Sequence, residues 1–359
     1  MMMRNITLPT GPYDWHPERV SRAVYVARLA VLRNALKTHG LAGCIVSGST
    51  FDDGALAWLT GFTPKLGPAF AIVPAAGEPR LLFSGGAGMR PSAQKLTWLA
   101  DVKALRALAT DLAELPAVES GAWGLAEDAG LTWDDRGAIV AARGGEPVDI
   151  TPTMDDLRCA HEPDVLPLIR HAGTIMREVE TTLREVAVTG RTRWAVRLAA
   201  ERAAQIAGAQ DIRMRLSRRD FGPAEPVDPD GSVSPACATV ALALRVDNYW
   251  LCGRTCSGSH APALRSVWDR LVPRLAAGST AASLAQAAAP AQVGLCAVGH
   301  SLVERTPGAD EPLSPGQCVG ITLAAHAADA AGLSAVVEIG TSRGHVLWAA
   351  APLQPTEQV

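Results

Sequence analysis

Val240-Ala-Leu-Ala-Leu-Arg-Val-Asp-Asn-Tyr-Trp-Leu-Cys-Gly-Arg-Thr255 is the stretch whose reading decides the fold. It divides into two short apolar runs, the second ending in Arg254-Thr255, with Arg245 to Asn248 as the connection between them. Asp247-Asn248 is a pair that tolerates the backbone of a tight turn, so the stretch predicts a β-hairpin. The whole chain has 359 residues, 48% hydrophobic and 19% charged, enough for one large core or two moderate ones. Two domains are expected, over 1–150 and 151–359, with the polar, proline-containing stretch Arg143 to Pro152 as the linker.

Bulk charge excludes several function classes. A net charge of −3 without a basic run gives nucleic acid no footing, so no such partner is expected. Nor is a membrane partner, since no window long enough to cross a bilayer is free of charge and proline. The first residues lack a basic region followed by an apolar run, and a cytoplasmic location is expected. Seven cysteines, at 44, 159, 237, 252, 256, 296 and 318, include no CxxC pair and read as reduced thiols. Cys252 and Cys256 stand out only because they lie on the hairpin.

In chain order, Arg19 to His39 has helical apolar spacing at Tyr25, Leu29, Leu32 and Leu36 and stops at Gly40. Leu41 to Ser47 reads as a strand, Ala55 to Phe62 as a helix, and Ala69 to Val73 with Arg80 to Phe83 as two further strands. Beyond the linker, helices are expected over Asp164–Val186 and, capped by Thr192, over Arg193–Ala207. A strand at Arg213–Ser217, the hairpin, helices at Pro262–Leu275 and Ser279–Ala288, and strands at Ala335–Ile339 and His345–Ala351 complete the reading.

Several of these words resemble the creatinase, aminopeptidase P and prolidase superfamily. They are Leu59-Thr60-Gly61-Phe62, the run Asp156-Leu-Arg to Ile169-Arg-His-Ala172, Val298-Gly-His-Ser-Leu302 and the hairpin itself. The resemblance implies an α/β (α+β) chain: a creatinase-like N-terminal α/β domain followed by a pita-bread domain, in a homodimer.

Metallopeptidases of that superfamily hold two bridged metal ions on two aspartates, one histidine and two glutamates. Carried onto this chain, the aspartates fall on Ala241 and Cys252, the histidine on His300, and the glutamates on Leu323 and Glu338. Two of these five positions keep their residue type, which does not bridge two metals, so no cofactor is expected. Creatinase works on the same fold without metal, and local words are closest to it. Its catalytic histidine falls on Ala224, its two guanidinium-binding glutamates on Gly253 and Leu323, and its partner-subunit arginine on Pro68, so creatine is not the expected substrate.

Chemistry is left to few groups. His300, Glu338 and Cys252 are the catalytic candidates: the imidazole as general acid/base, the carboxylate as its companion, the thiol as a nucleophile if the imidazole holds it ionised. Arg254, Arg213 and Arg215 can fork onto a substrate carboxylate, with Glu225 and Trp250 beside them. Each has a plainer reading: a hydrogen-bonded structural histidine, an apolar filler thiol, a carboxylate tied to an arginine, an exposed arginine edge. A short segment, Val303 to Leu313, follows the His300 motif, where creatinase has a longer insertion, and predicts a more open or differently shaped pocket. Two functions stand at this point. One is a metal-independent enzyme acting on a small polar molecule, by C–N hydrolysis or a related elimination or cyclisation, in secondary metabolism for instance. The other is a catalytically degenerate protein that binds a ligand or another protein.

Overall fold

A computed structural model describes residues 14–113, 121–127, 131–159, 161–187, 192–217, 224–226, 239–256, 261–301, 304–324 and 332–350. The chain divides into two compact units, Met1–Arg158 and Cys159–Val359.

In the first unit α1 (Arg22–Thr38) precedes β1 (Gly43–Gly48), α2 (Gly54–Thr60), β2 (Ala69–Pro74) and β3 (Arg80–Phe83). Then come α3 (Arg90–Gln94), β4 (Asp101–Ala104), α4 (Leu108–Ala113), β5 (Trp123–Ala126), α5 (Trp133–Arg143), β6 (Val148–Asp149) and α6 (Thr151–Arg158). The six strands make one mixed sheet in the order β4-β3-β2-β1-β5-β6. β1 is buried along its whole length at the centre, as its unbroken run of apolar and small residues requires. The helical spacing of α1 is realised: Tyr25, Leu29, Leu32 and Leu36 are all buried.

The Leu-Thr-Gly-Phe word marks a helix end whose carbonyls are satisfied from outside the helix. Arg28 donates to the Trp58 carbonyl (2.8 Å), Trp98 Nε1 to that of Leu59 (3.0 Å), and Thr97 Oγ1 to that of Thr60 (2.6 Å). Gly61 then turns the chain at φ 73°, and a Cβ there would stand 2.9 Å from the Tyr25 hydroxyl. The expected linker at Arg143–Pro152 is instead ordered. Arg143 lies 4.0 Å over the Trp123 ring, and β6 pairs with β5 in parallel.

The second unit begins with α7 (Leu166–Ala187) and α8 (Arg193–Ile206), the latter capped by Thr192, whose hydroxyl accepts from the Ala195 N–H at 3.2 Å. There follow β7 (Asp211–Ser217), β8 (Ala224–Pro226), β9 (Thr239–Val246), β10 (Tyr249–Cys256), α9 (Ala261–Leu271) and α10 (Ala281–Ala288). β11 (Gln292–Ala297), β12 (Cys318–Ala324), β13 (Gly332–Ile339) and β14 (Gly344–Ala349) close the unit. Two four-stranded sheets result, β10-β9-β7-β8 and β11-β12-β13-β14, antiparallel throughout.

The hairpin forms as read. Val246 pairs with Tyr249, and Asp247 and Asn248 both take positive φ, 44° and 73°. That is the two-residue turn whose twist matches the strands it joins. Gln210 clamps it, accepting from the Asp247 N–H (2.6 Å) and donating to Asp247 Oδ1 (2.9 Å).

Candidate functional site

The two-residue turn fixes the register of the hairpin, and the register decides which side chains share a face. Trp250 pairs with Arg245, Cys252 with Ala243, and Arg254 with Ala241. On the other side of β9, Arg245 pairs with Asp211, Ala243 with Arg213, and Ala241 with Arg215. Since side chains alternate, these nine residues form three rows on one face of β7-β9-β10: Asp211–Arg245–Trp250, Arg213–Ala243–Cys252 and Arg215–Ala241–Arg254.

Four arginines stand on this face. Two of them flank Trp250, with Arg213 at 5.3 Å and Arg245 at 5.5 Å from its ring centroid. Asp211 lies 3.8 Å from Arg213, whereas Arg215 and Arg254 have no ion pair or hydrogen bond among the described residues. The middle column holds only alanines below Arg245, so small side chains separate the arginines of the two outer strands.

Trp250 and Cys252 also line a cavity of about 130 Å³ with Cys296, Ser301, Glu304, Thr306 and Gly320 among its walls. The loop after β11 is held there by an antiparallel bridge, in which the Trp250 N–H donates to the Gly299 carbonyl at 2.7 Å. Glu304 is buried, and its Oε1 accepts from the Ser301 N–H at 2.7 Å. A Cβ on residue 299 would come within 2.5 Å of that oxygen, so the Gly-His-Ser word needs its glycine to fold around Glu304. His300 is 3% exposed, its ring 4.2 Å from that of Tyr249, and it is not among the residues lining the cavity.

Burial pushes the Cys252 thiol up to about 12, and the neighbouring Cys296 and Glu304 charges push the same way. At pH 7, roughly five units lower, the thiolate is a negligible fraction, which argues against the nucleophile reading of this residue. Cys296 is raised too, by burial first and by Glu304, against a hydrogen bond to the Gly320 carbonyl.

Glu338 is placed elsewhere. It pairs in register with Cys318, while Leu323 pairs with Leu333, so Glu338 and Leu323 lie on opposite faces of β12-β13. The Glu338 carboxylate accepts from Arg170 Nη2 at 2.8 Å. Its charge and the burial of Cys318 together push that thiol to about 12, with burial the larger cause and Arg170 opposing. Glu225 sits on β8 opposite Leu216, one residue out of step with Arg215, which pairs with Pro226; the Glu225 side chain lies outside the described residues.

Gly253 is equally definite. It alternates to the face opposite Cys252, where any Cβ would overlap the indole of Trp348. That indole is buried and donates to Glu180 Oε2 at 3.1 Å. The position at which creatinase places a glutamate is thus filled by packing.

No known family's sequence profile matches this chain, and no curated protein matches it either. Solved structures do. The prolidase from Pyrococcus horikoshii superposes with TM-score 0.76 at 12% identity, over 91% of this chain and 99% of that chain. The Xaa-Pro dipeptidase from Bacillus anthracis gives 0.74 at 13%, over 91% and 98%. Dipeptidase PepE from Mycobacterium ulcerans gives 0.71 at 17%, over 92% and 97%. The chain has the pita-bread fold.

At these identities the likeness is one of fold, and the residues decide the chemistry. A dinuclear centre on this pita-bread unit does not fit them. Ala241 and Leu323 offer no donor atom, and Glu338 faces away from Leu323 and binds Arg170. Among the described residues no group of three or more His, Cys, Asp and Glu is arranged to hold a metal ion, and no helix is long and apolar enough to cross a membrane.

Of the residues singled out in the sequence, Trp250, Cys252 and the three arginines of the outer strands share one face, while His300 packs on Tyr249 outside the cavity lining. Sequence reasoning missed Arg245, Cys296, Ser301 and Glu304. Glu304 had a signal, being the carboxylate four residues after His300 in a segment too short to leave the motif.

Proposed function

We propose that this chain is a metal-independent, creatinase-like pita-bread protein that takes a small carboxylate-bearing molecule on the β7-β9-β10 face and acts on it by acid–base chemistry. The carrying observation is the reversal of charge on the hairpin: the two metal-bridging positions are Ala241 and Cys252, and arginines 213, 215 and 254 border them. A guanidinium fork recognises a carboxylate where a carboxylate pair would recognise a cation. Glu304, buried beside Cys252, and His300, four residues before it in the chain, are the groups for proton transfer. Similarity in fold to prolidases and dipeptidases favours an amino-acid-like substrate and cleavage of a C–N bond, with elimination or cyclisation drawing on the same groups.

A homodimer in the cytoplasm belongs to the same proposal; sedimentation of the native chain checks the dimer, and fractionation of the producing cells checks the location. The test of function is turnover and binding of a panel of N-acyl amino acids and amides, with and without a chelator, beside His300→Ala. The expected result is chelator-insensitive binding in both proteins and turnover only in the unaltered one.

A second reading, ligand binding without chemistry, is favoured by the tight packing of His300 on Tyr249 and the protonated Cys252 thiol. Equal binding in both proteins without turnover in either decides for it.

A further inference from the structure

The three rows of the arginine face are not equivalent, and the difference points to the number of charges on the ligand. In the first row Arg245 is buried against Trp250, and in the second Arg213 has Asp211 beside it and stacks on the same indole. In the third row Arg215 and Arg254 stand on β7 and β10, and the residue between them, Ala241, is half-buried and offers only a methyl group. β7 and β10 are two strand spacings apart, about 9–10 Å. Each guanidinium carries a planar fork of donors, and neither finds a carboxylate among the described residues.

Like charges held in one row with only a methyl group between them repel, and they are relieved by a ligand that brings one anion to each. A single carboxylate forks onto one guanidinium and leaves the other uncompensated. From this we infer that the face is a dianion site, and that the natural ligand is a short dicarboxylate spanning Ala241, with one carboxylate on Arg215 and the other on Arg254. The inference rests on the metal-free anion reading above and adds the number and spacing of the ligand's charges.

The experiment is isothermal titration of the full chain with succinate, glutarate and adipate. Acetate serves as the one-carboxylate control and inorganic phosphate as the compact dianion. At least one dicarboxylate is expected to bind about tenfold or more tightly than acetate, with an optimum in chain length. Arg215→Gln and Arg254→Gln are each expected to bring it down to the acetate level, while Arg274→Gln, an exposed site outside this face, leaves it unchanged. Circular dichroism confirms that each variant is folded.

Dicarboxylates that bind no tighter than acetate overturn the inference, and acetate binding that Arg254→Gln abolishes then leaves the metal-free anion reading standing. Phosphate binding tighter than every dicarboxylate also overturns it. Stoichiometric manganese uptake with no anion binding takes down both readings.

Discussion

The two sheets of the second unit have the same size and the same antiparallel connectivity, yet they differ in what they present. On β10-β9-β7-β8 one face carries four arginines and a tryptophan, with only Ala241 between Arg215 and Arg254. On β11-β12-β13-β14 the corresponding interior is apolar: Ile321, Leu323, Ala335 and Val337 are buried, and the one carboxylate of β13, Glu338, is tied to Arg170. The difference teaches that packing and chemistry are specified separately. The hairpin turn, the Gly253–Trp348 contact and the paired strands hold the scaffold, while the side chains on one face of β7-β9-β10 set its charge.

The largest effect is expected at the contact that keeps the scaffold. Gly253→Glu would drive a side chain into the Trp348 indole, at a cost of about 3 kcal/mol or more. Thermal unfolding should fall by about 6–12 °C. An unchanged midpoint would mean that the two sheets are less tightly joined than their packing implies.

Next comes the hairpin clamp. Gln210→Ala removes both hydrogen bonds to Asp247 and should cost about 1–2 kcal/mol in chemical denaturation. If ligand affinity falls with it, the register set by the turn is what aligns the arginine rows.

A comparable but pH-dependent effect belongs to the cavity between the sheets. The folded Cys252 thiol titrates near 12 against an ordinary 9.0, so its contribution is complete below pH 9 and is lost as pH rises towards 12. Between pH 8 and 10 Cys252→Ala should lose about 1 kcal/mol less than the unaltered chain does. Equal losses would place the thiol in a wetter site.

The smallest effect is expected on the β11–β14 side. Glu338→Gln breaks its pair with Arg170, which is 54% exposed, and should cost well under about 1 kcal/mol with ligand binding unchanged. A loss of binding would return Glu338 to the site.

How far these properties could be read from the chain depended on the range of the interaction. The helix at Tyr25 to Leu36, the Thr192 cap and the Asp247-Asn248 turn are local, and each is legible in a few consecutive residues. The turn even fixes that Arg245, Ala243 and Ala241 face Trp250, Cys252 and Arg254, a consequence the sequence reading left unused. The face on which Glu338 lies was not legible, because it depends on the pairing of β12 with β13 across the residues between them. Nor was the meeting of Cys252 with Cys296 and Glu304, which joins strands and a loop far apart in sequence. The linker reading of Arg143–Pro152 failed for a similar reason. Glycine and proline there serve an edge strand that only β5 makes visible.

The central claim is that this pita-bread unit has exchanged a metal centre for an anion site. Elemental analysis tests it most directly, on protein purified without chelators or a metal-affinity tag and on its His300→Ala variant. No stoichiometric transition metal is expected in either protein. Two equivalents per chain, lost in the variant, would contradict the claim.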